Sequence, residues 1–327
     1  MVRYIVIFLI ILALAVAGCN NNSSSSSTAS PKTPFLGGAK GLEIKFFDDA
    51  PPAEVTDRGG FPFQSIVSLQ NQGEYGLSRD FIKVDLIGFL PEDFGSNPSD
   101  LRGRHPESDL TPRIRDSEGN IQEPSLSEVT FPIQGGFFSF DKSVTGNTVF
   151  IFRADVCYKY QTKALSQICV LRDLVNNNNN GICKPTESKT VHSSASPVQV
   201  SGFRQTVTGK DKISFSFDVS HTLKGDVFKE GDATSAPAYC PKDSAERREK
   251  INKVKVTVDT GLSNLRCVGF ESSTVGYISL VSGKRTVTCA QDLDPGRNDF
   301  TKNVEITLDF NYRDDVSRDI LVKHLVG

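Results

Sequence analysis

The sequence predicts an all-β protein made of tandem immunoglobulin-like (Ig-like) β-sandwiches behind a signal peptide and a flexible polar linker. Three observations support this prediction. Apolar and polar residues alternate in many short runs, turn residues such as Gly, Pro and Asn separate the runs, and only segment 244–253 has a helical composition. Alternation rich in β-branched and aromatic residues is typical of half-buried antiparallel strands. Many short strands with almost no helix are typical of sandwiches.

Seven runs show this alternation, four in the first half of the chain and three in the second. Residues two apart in a strand point to the same side of a sheet, so each set is predicted to share one face. The sets are Phe61, Phe63, Ser65, Val67 and Leu69; Ile82, Val84 and Leu86; Val129, Phe131 and Ile133; Phe150, Phe152, Ala154 and Val156; Ile213, Phe215 and Phe217; Val254, Val256 and Val258; and Val304, Ile306, Leu308 and Phe310.

The chain divides into four predicted parts. Residues 1–18 form a signal peptide, 19–39 a flexible Ser/Asn linker, 40–178 a first sandwich and 179–327 a second. The two halves share a layout of proline segment, glycine turn and alternating strand, although two-sheet proteins in general have this rhythm. Stretch 91–124 is rich in Pro, Asp, Arg and Ser and is predicted to be a long mobile surface loop rather than a binding loop.

The N-terminus has the pattern of an export signal. Arg3 precedes an apolar run at 5–17, which is too short to cross a hydrocarbon core of about 30 Å comfortably and suits a signal peptide. The run ends in LAVAGC at 14–19, which resembles the lipobox of secreted lipoproteins. This resemblance implies cleavage before Cys19 and lipid attachment to its thiol. The alternatives are an ordinary secretory signal with a chance cysteine, or an uncleaved anchor.

The segment after Cys19 is polar and has no periodicity, so it cannot bury a core. Such a segment is a flexible tether that holds a folded body away from a membrane. Asn21 and Asn22 begin glycosylation sequons, although such matches arise easily by chance in an Asn/Ser tract.

Composition excludes several classes of protein. The 327-residue chain is 38% hydrophobic and 23% charged, with a net charge of −2. A single long apolar stretch, at the N-terminus, is incompatible with a polytopic membrane protein. Because no basic excess is present, the chain is predicted not to bind nucleic acid.

Six cysteines follow Cys19, and an even number in an exported chain predicts disulfides. They are Cys157, Cys169, Cys183, Cys240, Cys267 and Cys289. Three lie before residue 184 and three after it, so complete oxidation requires an odd number of bridges between the two groups. We predict the pairs Cys157–Cys169, Cys183–Cys240 and Cys267–Cys289, which assigns Cys183 to the second module. The alternative, a zinc site of Cys183, His192 and Cys240, lacks the close ligand pair usual in such sites.

The sequence contains no recognisable catalytic motif of the hydrolase, metalloprotease, P-loop or dinucleotide-binding classes. His221 adjoins Ser220, but neighbours along a strand point to opposite faces and cannot readily act as base and nucleophile. The chain is therefore predicted to be no enzyme and to need no cofactor.

One loop has the spacing of an EF-hand calcium site. Asn176, Asn178, Asn180 and Glu187 fall at ligand positions, with Gly181 at the turn. Only Glu187 is charged, and a run of five Asn matches alternate positions automatically. Calcium is therefore the weaker hypothesis for this loop.

Four stretches, together with the lipobox, resemble a group of uncharacterised cell-surface lipoproteins from small-genome archaea. They are VCYKYQT at 156–162, YCP at 239–241, ISLVSG at 278–283 with the following Cys289, and ITLDFNYR at 306–313. The resemblance implies export, tandem Ig-like domains and paired cysteines, and it implies nothing about catalysis.

These features together predict a lipoprotein anchored to the outer face of the cell membrane through lipid on Cys19. It is expected to act as a non-enzymatic binding, adhesion or cell-envelope scaffold module, with an envelope protein or a glycan as partner. The alternative is a solute- or glycan-capture lipoprotein associated with a transporter.

The intact mass of the membrane-extracted protein tests the N-terminal prediction. We expect a mass that begins at Cys19 and includes lipid, and six thiols that react with an alkylating reagent only after reduction. An unprocessed chain with free thiols would contradict export and would reopen metal ligation by the cysteines.

Overall fold

Strands dominate the part of the chain described by the computed structural model, which covers residues 33–133, 135–175, 182–231 and 237–325. The all-β prediction is therefore confirmed. The strands are β1 (Leu42–Phe46), β2 (Glu54–Thr56), β3 (Ser65–Asn71), β4 (Ile82–Ile87), β5 (Ile114–Arg115), β6 (Ile121–Gln122), β7 (Leu126–Phe131), β8 (Thr148–Val170), β9 (Glu187–Ser188), β10 (His192–Ser193), β11 (Val198–Gly209), β12 (Lys212–His221), β13 (Asp226–Phe228), β14 (Lys253–Asp259), β15 (Leu265–Cys267), β16 (Val275–Ser279), β17 (Lys284–Asp292) and β18 (Phe300–Lys323).

Helical structure in the described residues is short. One α-helix, α1 (Ser244–Lys250), lies where the charged composition predicts it, and Asp243 caps its N-terminus by accepting from the backbone N–H groups of Ala245 and Glu246. Such a cap satisfies N–H groups that have no partner within the helix. Three 3₁₀ turns complete the set, at Arg79–Phe81, Pro91–Phe94 and Pro98–Leu101.

Two very long strands form the centre of the molecule. Strands β8 and β18 have 23 and 24 residues and pair antiparallel from Thr148↔Val322 to Val170↔Phe300. At about 3.4 Å per residue, the ribbon is about 75 Å long. Because residues from both halves of the sequence pair along its whole length, the ribbon joins the two halves in one sheet.

Shorter strands extend this sheet on both sides. Strands β4 and β10 pair with the edge of β8 that faces away from β18. Strands β14, β13 and β2 pair with β18, and β16 pairs with β14. Two further sheets have the orders β1–β3–β7 and β15–β17–β12–β11–β9, and β5 and β6 form a small hairpin. The buried apolar side chains of these sheets form one continuous core. This arrangement is a sandwich-type packing of antiparallel sheets.

The described residues from Phe35 onward form one compact unit. The predicted domain boundary at residue 178 stays a prediction. The described strands on both sides of it belong to the same central sheet. Most predicted core faces are buried, but Phe61 and Ile133 are 47% and 43% exposed. Each lies at a turn beside a strand, where the alternation no longer dictates orientation.

Stretch 91–124 lies outside the long strands, as predicted, but it packs onto the core. Phe94, Leu101 and Leu110 are each at most 1% exposed, and the backbone of Leu110 exchanges two hydrogen bonds with Leu77. The prediction of a mobile loop overlooked these three anchors because they are isolated apolar residues in a polar composition.

Three tyrosines fill the inner face of the ribbon near its middle. Tyr158 and Tyr312 lie opposite each other in register, Tyr160 is next to them along β8, and all three are at most 1% exposed. Each hydroxyl has a polar neighbour: the backbone N–H of Leu42 for Tyr158, the side-chain amide oxygen of Asn71 for Tyr160, and Nε2 of His221 for Tyr312. Burial raises the pKa of all three phenols.

A glycine faces each of these tyrosines. A Cβ added at Gly41 would lie 3.3 Å from the Tyr158 hydroxyl, and one at Gly225 would lie 2.5 Å from the Tyr312 ring. At Gly73 it would lie 1.8 Å from the Tyr160 hydroxyl and 2.8 Å from the backbone carbonyl of Ala195. The rings therefore occupy space that only glycine leaves open.

Gly73→Ala is expected to destabilise the protein, because backbone as well as side-chain atoms would have to move. Overpacking of a tight core typically costs about 1–3 kcal/mol, which a shift of the urea unfolding midpoint measures. Gly76→Ala is the matched control, because its Cβ would meet Pro112 Cδ at an ordinary 3.6 Å. Equal midpoints for the two variants would contradict this account of the tyrosine packing.

Candidate functional site

Two rows of side chains, all charged except Cys157, cross the outer face of the central sheet. The registers of β4, β8 and β18 place them side by side across three strands, which is possible because residues of the same parity share a face. One row is Lys83, Cys157 and Arg313, and the other is Asp85, Asp155 and Asp315. Three aspartates in register would repel one another without nearby cations.

Two cations compensate the aspartate row. Arg313 donates two parallel hydrogen bonds to Asp155, from Nε to Oδ1 at 2.8 Å and from Nη2 to Oδ2 at 2.7 Å. Lys242 pairs with Asp85, whose other oxygen accepts the backbone N–H of Gly103 at 2.6 Å. Asp155 is 4% exposed, so its bidentate partner offsets the cost of burying a carboxylate.

A covering segment, residues 237–250, lies over this face and supplies Lys242. The Cys157–Cys240 disulfide ties it to β8. The side-chain amide of Asn311 donates to the backbone carbonyls of Lys229 and Tyr239, at 3.3 and 3.1 Å. The segment is thus held to the sheet covalently and by hydrogen bonds to β18.

A buried ion pair lies beside this attachment. Glu230 pairs with Lys159 of β8, and the two side chains are only 5% and 9% exposed. Lys255 Nζ lies 3.9 Å from the second oxygen of Glu230. Glu230 therefore compensates the positive charges of two lysines on the outer face of the sheet.

An open cleft of about 350 Å³ lies between the sheet and the covering segment. Side chains from β4, β8, β18 and the covering segment line it. They are Lys83, Asp85, Asp155, Cys157, Ala238, Tyr239, Cys240, Lys242, Asp243, Glu246 and Arg313. Its polar groups are mostly ion-paired, so the geometry of the cleft is fixed before any ligand enters.

Tyr239 forms the aromatic part of the cleft and is 46% exposed. Its hydroxyl donates to Glu246, and Lys250 Nζ lies 4.7 Å from its ring centroid. The hydrogen bonds from Lys250 and Tyr239 lower the pKa of Glu246, and the bond to Glu246 raises the pKa of Tyr239. Glu246 is therefore a carboxylate and Tyr239 a neutral phenol at neutral pH.

The structure confirms three disulfides and corrects two of the predicted pairs. Cys157 bonds to Cys240 and Cys169 to Cys183, in place of Cys157–Cys169 and Cys183–Cys240, whereas Cys267–Cys289 is as predicted. One bridge joins the two groups of cysteines, so the parity argument holds. The pairs were misassigned because the covering segment returns to β8 from far along the chain. Three disulfides indicate folding in an oxidising environment.

The other predicted sites give no assembled centre in the described part of the chain. Cys19, Asn21 and Asn22 lie outside the described residues, as do Asn176, Asn178 and Asn180. Glu187 is at the start of β9 and pairs with Lys189. The described residues contain no group of three or more His, Cys, Asp or Glu placed to hold a metal ion.

Sequence reasoning missed the cleft. The alternation in 82–86 and 150–156 does place Lys83, Asp85 and Asp155 on polar faces, which is the signal that was available. It gives no indication that β4 and β18 flank β8 at those residues, or that Tyr239 and Lys242 close the site from above.

The chain matches no protein-family model, and no curated protein matches it. Among the described residues, no helix has the length and apolar character needed to cross a membrane.

Asp155→Ala is expected to lower the free energy of unfolding by about 3–5 kcal/mol, because it leaves the partly buried Arg313 without its partner. The matched control is Glu54→Ala, which breaks the exposed pair of Glu54 and Lys323. An exposed pair is worth about 0–1 kcal/mol. Urea unfolding of both variants measures the difference, and equal losses would show that the Arg313 pair does not support the cleft.

Proposed function

We propose that the protein is a lipoprotein anchored outside the cell that acts as a non-enzymatic binding module of the cell envelope, and that it meets its partner at the cleft. The observation that carries this proposal is the cleft itself: a concave, disulfide-pinned surface on a rigid sheet. Concave sites with a few fixed polar groups are the usual form of binding sites.

The chemistry of the cleft supports binding rather than catalysis. Among the described residues that line it there is no Ser, Thr or His, and both of its cysteines are joined in a disulfide. Its four carboxylates serve in ion pairs, hydrogen bonds or the cap of α1. A general acid or nucleophile needs an activated, available group, and every carboxylate of the described lining is already held by a partner.

The remaining parts of the proposal come from the sequence. The lipobox at 14–19 and the polar tether supply the membrane anchor, and the resemblance to archaeal surface lipoproteins fits a role in the envelope. Capture of a solute or glycan for a transporter is the alternative, and release of the bound ligand to a membrane partner would distinguish it.

Site-specific photocrosslinking on whole cells tests the proposed function. A photoreactive residue replaces Lys242 at the cleft in the full-length protein, or Lys210, which is also an exposed lysine and lies just beyond β11. We expect a discrete crosslinked product with an envelope component from position 242 and none from position 210. Products from both positions, or from neither, would contradict a partner at the cleft.

A further inference from the structure

We infer that the cleft binds an uncharged polyhydroxylated ligand, a neutral sugar residue, with the ring of Tyr239 as its apolar contact surface. This inference rests on the proposed function and names the chemical class of the ligand.

The balance of charge in the cleft favours an uncharged ligand. The lining carries three cations, Lys83, Lys242 and Arg313, and four carboxylates. All four carboxylates are engaged, and within the described residues Lys83 alone among these cations has no ion pair. Lys250, which pairs with Glu246, brings the cations to four, so the charges around the cleft balance. An acidic ligand would compete with the existing pairs for their cations, and a cationic ligand would have to displace Arg313 or Lys242. A neutral ligand avoids both penalties, because desolvating and re-pairing charges is costly.

The hydrogen-bonding capacity left in the cleft suits a ligand with several hydroxyl groups. Arg313 uses two of its five N–H donors on Asp155, and each lysine ammonium has three. The paired carboxylates retain lone pairs, because one carboxylate offers about four acceptor sites. The cleft thus presents donors and acceptors side by side at fixed positions. Vicinal hydroxyl groups donate and accept at once, so they can add to these pairs without breaking them.

The ring of Tyr239 gives the cleft an aromatic wall. Tyr239 exposes 46% of its surface although its hydroxyl is held by Glu246 and its neighbour Cys240 is tied to β8. A ring fixed in this way contributes apolar contact area with little loss of conformational entropy. The C–H face of a sugar ring is the complementary surface. At about 350 Å³, the cleft lies at the lower end of the usual range for small-ligand sites.

A second tyrosine provides a matched control elsewhere on the surface. Tyr277 of β16 also lies under a lysine, with Lys229 Nζ 4.3 Å from its ring centroid. It lines a separate groove together with Arg285 and Val268 and takes no part in the cleft. Replacing Tyr277 therefore removes a comparable aromatic side chain without altering the proposed site.

The test is calorimetric titration of the full-length protein with maltotriose, cellotriose, mannotriose and, as the acidic comparison, trigalacturonate. We expect saturable binding of at least one neutral trisaccharide, with a Kd that is unchanged between about 50 and 500 mM NaCl, since no ion pair with the ligand is screened. Tyr239→Ala should weaken binding at least about tenfold. Tyr239→Phe, which keeps the ring, should stay within about threefold, and Tyr277→Ala should bind as the unaltered protein does. The thermal midpoint of each variant confirms that it is folded.

Three results would overturn the inference. Tighter, salt-sensitive binding of trigalacturonate would assign the cleft to an anionic ligand. Equal loss of binding in Tyr239→Ala and Tyr277→Ala, with both variants folded, would place the ligand elsewhere. If no trisaccharide binds while position 242 still crosslinks on cells, the ligand class is wrong and the binding function stands. If crosslinking also fails, the proposed function itself is wrong.

Discussion

The antiparallel pairing of β8 with β18 is the constraint on which the rest of the structure depends. It joins one long strand from each half of the sequence over 23 residue pairs, and it places the other strands of the central sheet. The inner face of the ribbon carries the tyrosines around which both halves pack, and its edges hold β4, β10, β14, β13 and β2. A shift by one residue would exchange the two faces and bury charges in the core, so the whole register is fixed together.

The cleft is a product of the same pairing. Lys83, Cys157 and Arg313 come from three strands that are distant in sequence, and only the registers of β4 and β18 against β8 bring them together. The outer face of the ribbon is polar where the covering segment lies on it, and ion pairs and one disulfide replace the apolar contacts that hold the inner face. This is why the site combines high polarity with a defined geometry.

The sequence predicted the fold class well and the site poorly, for one physical reason. Alternation is a local property, so Val254, Val256 and Val258 or Ile213, Phe215 and Phe217 were placed on buried faces correctly. Pairing between distant strands is not local, so neither the length of β8 nor the Cys157–Cys240 bond could be read from the pattern. In β8 the alternation is hidden further, because residues from Ala154 to Tyr160 are largely buried on both faces. The outer face there is covered by a segment more than 70 residues away.

The place of β18 in the chain has a consequence for the order of events during synthesis. Residues 300–323 are made after all the strands they pair with, yet they occupy the middle of the sheet rather than an edge. Until they arrive, β8 and β14 each present an unpaired edge, which is a template for aggregation. Pairing of β18 with β8 also requires contacts between residues about 130 or more positions apart in the sequence, which slows folding. The central sheet therefore cannot be completed during synthesis until β18 is available. A chain truncated before residue 300 would lack a central strand of this sheet.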